Sequence, residues 1–402
     1  MATQVVSPSV DPITGRLSKR TRASRSNIGG QLMEMARAIP DVVALGRGDP
    51  DLPTPAHVIE AAERALEAGH THYTARRGLD ALRMAIAAKL KAENGVEVDA
   101  EREVLITTGT QEALTIVALA LLDPGDEIIM PDPYYFSYED AIRYAGGHLV
   151  TVPTTRATNF EPDPDDIARA ITPHTKALIL LTPNNPTGAV YSPATLRRIA
   201  ELAQMRNLLV VSDELYEKLV FKGAQHMSLA SLAGMRDRTI TINGFSKNYR
   251  MTGWRIGYLA GPARFVAAAQ EIKNTLTLCA PSMAQHAAVA ALTGPQDCLA
   301  EALQVYGERR AAFTRGLDAL GIPYFEPAGT FYIFADVSSS GLATDEFCLR
   351  LLRDAGVFVY PGPHFGHYGE KYVRISLLAP VPRLMEGLNR IGRFWTMLAA
   401  PV

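Results

Sequence analysis

Short apolar runs alternate with helix-type patterns between residues 100 and 265, and this alternation limits the possible folds more than any other feature. The runs with strand-like composition lie at 104–106, 126–130, 176–181, 207–211, 239–242 and 255–259. Helical patterns, such as those at 111–122 and 192–206, connect them. The runs are continuously apolar, which is typical of strands covered on both faces. The sequence therefore predicts an α/β fold with a mostly parallel central sheet and helices on both faces.

The chain after residue 300 predicts a smaller α+β unit. A helical pattern at 295–320 precedes strand-like runs at 331–334, 357–360 and 372–376, and a last helix is expected after Pro382. Residues 28–49 lack an apolar core of their own, so we expect them to complete this unit. The predicted division is an arm over 1–27, part of a small domain over 28–55, a large domain over 56–300 and the rest of the small domain over 301–402.

Charge and cysteine content limit the partners of the chain. With 40 basic and 42 acidic residues the net charge is −2, which gives no electrostatic case for nucleic acid or an anionic membrane. The apolar run at 114–122 is about half as long as a membrane span requires. The 3 cysteines lack the spacing of metal ligands, so we expect no disulfide framework and no metal. The expected partner is a small molecule, and the expected location is the cytoplasm.

The N-terminal arm is basic and leaves two interpretations open. The first 33 residues contain one acid, Asp11, and five lysines and arginines. This composition is typical of an organelle transit peptide, but the segment has no strong apolar face. We favour an arm that packs on a partner subunit.

The segment 243–257 sets one lysine eight residues before one arginine in glycine-rich sequence, Asn-Gly-Phe-Ser-Lys-Asn-Tyr-Arg-Met-Thr-Gly-Trp-Arg-Ile-Gly. Lys247 follows the strand-like run at 239–242 and has Ser246 beside it. A lysine held in a desolvated cleft loses its proton and can form a Schiff base. The alternative is that Lys247 and Arg255 are a surface pair on a loop.

Further polar motifs follow other predicted strands. Thr-Pro-Asn-Asn-Pro-Thr-Gly occupies 182–188, and Ser-Asp-Glu-Leu-Tyr occupies 212–216. Asp213 and Tyr216 are one helical turn apart, so both can face one cleft from a strand-to-helix junction, although such an aspartate can also be an N-cap. Thr107–Gln111 opens a helix, whose free N–H groups form an anion site. Arg374 stands on an apolar strand and needs a carboxylate partner, from the protein or from a substrate.

Together these motifs resemble those of the class I and II aminotransferases, fold type I enzymes that use pyridoxal 5′-phosphate, and the bacterial aspartate aminotransferase branch in particular. The resemblance extends from Ile28 over nearly the whole chain. It makes 56–300 the cofactor-binding domain and implies that Lys247 carries the cofactor. It assigns the phosphate to Arg255, to a cup of Gly109, Thr110 and Gln111, with Ser246 alongside, and to Tyr73 reaching across from a neighbouring subunit.

The resemblance also implies roles around the ring and the substrate. Asp213 would hold the pyridine nitrogen protonated, Tyr216 and Asn185 would bind the ring oxygen, and Tyr135 would stack on the ring face. Arg374 would bind the substrate carboxylate by a bidentate pair, with Asn185 and the backbone at Gly48 beside it. The catalytic set is thus Lys247, Asp213 and Tyr216.

The expected function is transfer of an amino group from an L-amino acid, aspartate first and an aromatic amino acid second, to a 2-oxo acid such as 2-oxoglutarate, by a ping-pong mechanism in a homodimer with composite sites. Two alternatives stay open: β-elimination at a C–S bond on the same fold, and a non-enzymatic regulator. A dicarboxylate needs a second cation. Arg47, Arg76, Arg77 and Arg250 are candidates that the sequence does not rank, and Arg250 stands where the family usually has a small residue.

Overall fold

The computed structural model describes residues 13–22, 28–221 and 223–399. The α-helices in these ranges are α1 Lys19–Arg22, α2 Ile28–Ala38, α3 Ala56–Glu67, α4 Asp80–Lys89, α5 Thr110–Leu121, α6 Ser137–Ala145, α7 Pro164–Ala170, α8 Pro193–Met205, α9 Ala263–Leu276, α10 Ser282–Thr293, α11 Asp297–Ala319, α12 Thr344–Ala355 and α13 Val381–Ala399. The strands are β1 Val43–Ala44, β2 Val104–Thr107, β3 Glu127–Asp132, β4 His148–Pro153, β5 Thr175–Leu181, β6 Leu209–Asp213, β7 Thr239–Gly244, β8 Gly257–Ala260, β9 Tyr324–Phe325, β10 Tyr332–Asp336, β11 Val357–Phe358, β12 Tyr360–Pro361 and β13 Tyr372–Ser376.

The central sheet has seven strands in the order β2-β8-β7-β6-β5-β3-β4. Neighbouring strands are parallel except at β8, which is antiparallel to both β2 and β7. Successive residues of one strand enter different cores: Val211 packs with α5, α6 and α9, whereas Val210 packs with α7 and α8. Both faces are therefore covered, which explains the continuous apolar runs and confirms the predicted fold class.

Several strands differ from the sequence-based expectation. β1 and β9, of two residues each, were not predicted. β4 was not predicted, because it is an edge strand whose residues are mostly half-buried or exposed and leave no apolar run. The run predicted as one strand at 357–360 divides into β11 and β12, which belong to different sheets.

A second, antiparallel sheet has the order β12-β13-β10-β9, and β1 pairs in parallel with β11 beside it. One hydrophobic cluster joins both ends of the chain here, since Leu32 and Val43 pack with Phe313, Leu351 and Ile375. Residues 13–22 are the only described part of the predicted arm. They contact α6 of the same chain, where Arg20 Nη1 donates to Tyr144 O over 2.9 Å.

The segment at Leu45 is held by backbone pairing with β11 and β13 of the smaller sheets. Leu45 N donates to Phe358 O over 2.8 Å, and Ser376 N donates to Leu45 O over 2.6 Å. This pairing fixes the residues just after Leu45 between the two sheets. Among the helices of the described ranges, none has the length and apolar character needed to cross a membrane.

Candidate active site

A cavity of about 650 Å³ lies between the carboxyl ends of the central strands and the second sheet. Most residues singled out in the sequence line it, namely Gly48, Thr110, Gln111, Tyr135, Asn185, Asp213, Tyr216, Ser246, Lys247, Arg255 and Arg374. They come from both ends and the middle of the chain. The topology brings them together because β5, β6 and β7 are parallel and end at one edge.

Lys247 lies just after β7 and points across the cavity. Its Nζ donates to Gly48 O over 2.6 Å. The pKa of Lys247 is lowered to about 8, mainly by burial; the charge of Asp49 opposes this shift, and the charges of Arg374 and Arg255 add to it. Near neutral pH the neutral, nucleophilic form of this amine is a minority, but it is far more populated than for a lysine in water, and it predominates above about pH 8.

Asp213 is the last residue of β6 and is buried. Its Oδ2 accepts from Tyr138 Oη over 2.6 Å, and its Oδ1 accepts from Leu215 N over 3.1 Å. Burial raises the pKa of Asp213 to about 6, and the two hydrogen bonds oppose that rise. The prediction of a strand-to-helix junction here is wrong, because a turn and not a helix follows Asp213. Tyr216 nevertheless lines the same cavity.

Arg374 crosses the cavity from β13 and is buried. Its Nη1 donates to Asn185 Oδ1 over 2.9 Å and its Nη2 to Gly46 O over 2.7 Å. Its Nε is buried and has no hydrogen-bond partner within the described chain. Arg374 also lies over the ring of Tyr332, 4.3 Å from the centroid. Since both of these hydrogen-bond acceptors are neutral, the guanidinium keeps an uncompensated charge that favours an anionic ligand.

The turn after β2 brings Gly109 against Arg255. Gly109 has φ +78°, and a Cβ there would come within 2.5 Å of Arg255 Nη2, so only glycine fits. Arg255 is held in turn by a 2.8 Å hydrogen bond from its Nη1 to Thr252 O. Helix α5 begins at Thr110, and its unpaired N–H groups face the same cavity as Arg255. Together they form a site for an anion.

A buried polar network lies behind Asp213. Glu217 pairs with Lys89 and accepts from Asn243 Nδ2 over 2.8 Å. Burial raises the pKa of Glu217, but Lys89 and its other partners bring it down to about 2. Glu214 and His226 lie close enough to Glu217 to form a metal-type cluster, with ligand atoms within 4.8 Å of one another. The ammonium of Lys89 already compensates the charge of Glu217.

Several sequence candidates lie away from the cavity. Arg250 donates to Pro53 O and Cys298 O, each over 2.8 Å, and so joins two segments of the chain. Arg76 and Arg77 line a separate cavity of about 870 Å³. Tyr73 is 84% exposed and does not line the candidate active site. Of the four candidate arginines only Arg47 lines it.

Three lining or supporting residues had been missed. Tyr138 bonds Asp213, and Tyr332 Oη lies 3.3 Å from Tyr216 Oη. Arg37, on α2, lines the cavity mouth. Tyr138 belongs to the same aromatic motif as Tyr135, so the sequence could have indicated it. The sequence around Arg37 gives no such indication, because nothing in it distinguishes Arg37 from a surface arginine.

The chain belongs to the class I and II aminotransferases, whose family model matches residues 40–389. It is therefore a fold type I enzyme that depends on pyridoxal 5′-phosphate. A probable aspartate/prephenate aminotransferase of Thermus aquaticus is 41% identical over 384 residues, which are 94% of this chain and 98% of the relative. Aromatic-amino-acid aminotransferase 2 of Thermococcus litoralis is 39% identical over 365 residues, 90% of this chain and 94% of that one.

Solved structures agree with the architecture. The Thermus thermophilus aspartate aminotransferase with maleate has a TM-score of 0.89 at 40% identity, covering 94% of this chain and 99% of that one. Pyrococcus protein-A1 has a TM-score of 0.92 at 38% identity, covering 94% of this chain and 98% of that one.

The residues of the cavity fit pyridoxal phosphate. The anion site at Gly109 and Arg255 suits a phosphate, the buried carboxylate of Asp213 suits a protonated ring nitrogen, and Lys247 supplies an amine whose pKa is lowered to about 8. The unpaired Nε of Arg374 leaves a donor for a second anion, such as a carboxylate.

Proposed function

We propose that this enzyme transfers the amino group of an L-amino acid, with aspartate as the best candidate and an aromatic amino acid as the second, to a 2-oxo acid such as 2-oxoglutarate. The observation that carries the proposal is the position of Lys247, whose amine has a lowered pKa and shares one cavity with Asp213, Arg255 and Arg374. When bound, pyridoxal phosphate supplies an electron-withdrawing ring that acidifies the α-carbon of an attached amino acid.

The chain's own residues would divide the work as follows. Arg255, Thr110, Gln111 and Ser246 would hold the phosphate, and Tyr135 the ring face. Asn185 and Tyr216 would bind the ring oxygen, and Asp213 would keep the ring nitrogen protonated.

Lys247 would also serve as the general base, because its lowered pKa, about 8, lets its Nζ take up the α-proton and return it near neutral pH. Arg374 would orient the substrate by its carboxylate, next to the backbone at Gly48 and the amide of Asn185. Two half-reactions with one site imply ping-pong kinetics.

The cavity chemistry supports both substrate classes. Arg37 and Arg47 supply cations for a second carboxylate, and Phe136, Phe358 and Tyr360 supply aromatic surface. The names of the two relatives, a probable aspartate/prephenate aminotransferase and an aromatic-amino-acid aminotransferase, support the same pair of substrates.

We also propose a homodimer in which Tyr73 serves the neighbouring site, which its exposure supports. The domain division at residues 28–55, 56–300 and 301–402 remains part of this proposal and is supported by the cluster that joins both ends of the chain. Free Cys279, Cys298 and Cys348 support a reducing, cytoplasmic setting.

A panel of amino acids with and without 2-oxoglutarate tests the proposal. We expect aspartate to be consumed only with the 2-oxo acid present, and Lys247→Ala to lose turnover by at least about a thousandfold while remaining folded. Circular dichroism of the variant is the control. Release of ammonia and pyruvate without an acceptor would instead indicate C–S lysis.

A further inference from the structure

A buried ion pair lies directly behind the phosphate cup, and the proposed mechanism does not use it. Lys273, on α9, is 0% exposed, and its Nζ donates to Glu112 Oε2 over 3.0 Å. The Glu112 side chain is 7% exposed. Thr277 completes a triangle, since its Oγ1 accepts from Lys273 Nζ over 2.7 Å and also bonds Glu112.

Glu112 reaches back to the turn that forms the cup. It is the third residue of α5, and its Oε2 accepts from Thr108 N over 2.6 Å. A glutamate at this position commonly satisfies a free N–H at a helix start. Here the bonded N–H belongs to the residue just before Gly109, so Glu112 fixes the entry to the cup.

The same position creates an electrostatic conflict. A carboxylate in the first turn of a helix is favourable by itself, but the first turn of α5 also faces the anion site beside Arg255. An uncompensated Glu112 would repel a phosphate dianion through a poorly screened interior. Lys273 removes this conflict by contributing one positive charge that water does not reach.

We propose that Lys273 and Glu112 together position the phosphate cup: Glu112 holds Thr108, and Lys273 cancels the charge of Glu112 so that the cup accepts a dianion. Both are positioning residues, because neither lines the cavity. This inference rests on the proposed cup but not on the identity of the amino acid substrate.

If the two charges act on phosphate binding, charge-removing variants should change the affinity in opposite directions, which a purely structural role of the pair would not produce. Lys273→Met leaves Glu112 negative, so phosphate binding should weaken. Glu112→Gln keeps an acceptor for Thr108 but removes the negative charge, so phosphate binding should be unchanged or stronger. The double variant, Lys273→Met with Glu112→Gln, removes both charges and should regain the affinity that Lys273→Met loses.

The test is the affinity of the full-length chain, freed of cofactor, for pyridoxal phosphate, for pyridoxal without phosphate and for inorganic phosphate. We expect Lys273→Met to raise the dissociation constants of the two phosphate compounds about three- to tenfold, the range that a unit charge at a helix N-terminus produces. The dissociation constant of pyridoxal should change less than about twofold. The dissociation rate of cofactor from the holoenzyme should rise in parallel.

Lys176→Met is the matched control. It removes the same charge, but Lys176 is 45% exposed and pairs with Asp126 near the opposite end of the strands. The proposal is wrong if Lys273→Met weakens the binding of pyridoxal as much as the binding of pyridoxal phosphate. It is also wrong if Glu112→Gln weakens phosphate binding. Should Lys273→Met fail to fold, Glu112→Gln and the double variant still decide it by the direction of their effect. Failure here would leave transamination by the panel assay untouched.

Discussion

The protonation state of Lys247 depends on three charges around a partly buried amine. Burial is the first cause of its lowered pKa, Arg374 and Arg255 add to the effect, and Asp49 opposes it. A neutral lysine is needed both for cofactor attachment and for proton transfer. The arginines proposed to bind anions therefore also lower the pKa of the lysine, so that the same charges would serve two purposes.

Asp49→Asn should move the pH midpoint of cofactor attachment below about 8, the pKa of Lys247 in the unaltered chain. The sign follows from the charges: the carboxylate favours protonated Lys247, so its removal favours the neutral amine at lower pH. Asparagine keeps the acceptor for Thr252 Oγ1, which is bonded to Asp49 Oδ1 over 2.6 Å. Attachment rates followed by cofactor absorbance between pH 6 and 10 check this. A midpoint that stays fixed or rises would contradict it.

Arg47→Ala should lower kcat/KM for aspartate roughly 10- to 150-fold, because a hydrogen bond to a charged group contributes about 1.5–3 kcal/mol. The value of kcat/KM for phenylalanine should stay nearly unchanged. Arg47 lines the cavity, and the part of the chain that the structure describes gives it no ion pair. The ratio of the two kcat/KM values is the measurement, and phenylalanine is its internal control. Equal losses for both substrates would remove Arg47 from substrate recognition.

At the scale of elements, the turn at Gly109 connects β2 to α5, so the position of the proposed anion site depends on how β2 pairs in the central sheet. β2 is an edge strand, and its turn lies against β8, where Gly257 allows the close approach: a Cβ there would come within 3.0 Å of Thr110 N. The antiparallel β8 brings Arg255 to the same turn from the other direction. Gly109, Gly257 and the antiparallel strand β8 thus shape the proposed phosphate cup.

Gly109→Ala should raise the dissociation constant of pyridoxal phosphate about five- to thirtyfold, since a side chain in this conformation costs about 1–2 kcal/mol and also displaces Arg255. Gly253→Ala is the matched control, because a Cβ at Gly253 would meet nothing within 4 Å. Fluorescence titration of both variants provides the comparison. Equal affinities for the two would show that the turn tolerates a side chain.

The sequence predicted the buried central strands because burial on both faces leaves continuous apolar runs, but other features leave no such signal. β4 is half-exposed, and the direction of β8 is not encoded in its apolar run. Motifs located most cavity residues because most of these motifs lie at or next to the end of a strand. The bonds of Tyr138 with Asp213 and of Lys273 with Glu112 join residues 75 and 161 positions apart, and such pairings depend on the folded topology.

At the scale of the whole molecule, the exposure of Tyr73 is the main feature that one chain leaves unexplained. A tyrosine that is 84% exposed buries almost none of its ring. His70, three residues before Tyr73, stacks on His286 of the same chain with a centroid distance of 4.3 Å. The segment next to Tyr73 is therefore held in place, although the tyrosine side chain is not. The proposed dimer gives this side chain a partner.

Mixing Tyr73→Phe chains with Lys247→Ala chains should restore activity at limiting cofactor. In a heterodimer the Tyr73→Phe chain keeps Lys247 and receives Tyr73 from its partner, so one of the two sites is complete. Tyr73→Phe alone should weaken cofactor binding about tenfold, the effect of one hydrogen bond to a charged group. Activity of the unmixed variants is the control. No recovery on mixing would place Tyr73 outside the partner's site.

The pairing of β1 with β11, and of Leu45 with Ser376, has a consequence for synthesis on the ribosome. The segment that carries Gly46 and Gly48 is synthesised more than 300 residues before its backbone partners, Phe358 and Ser376. Arg374, which donates to Gly46 O, belongs to the same late segment. The nascent chain can therefore form much of the central sheet before this segment has its partners, and the complete cavity closes only after residue 376 has left the ribosome.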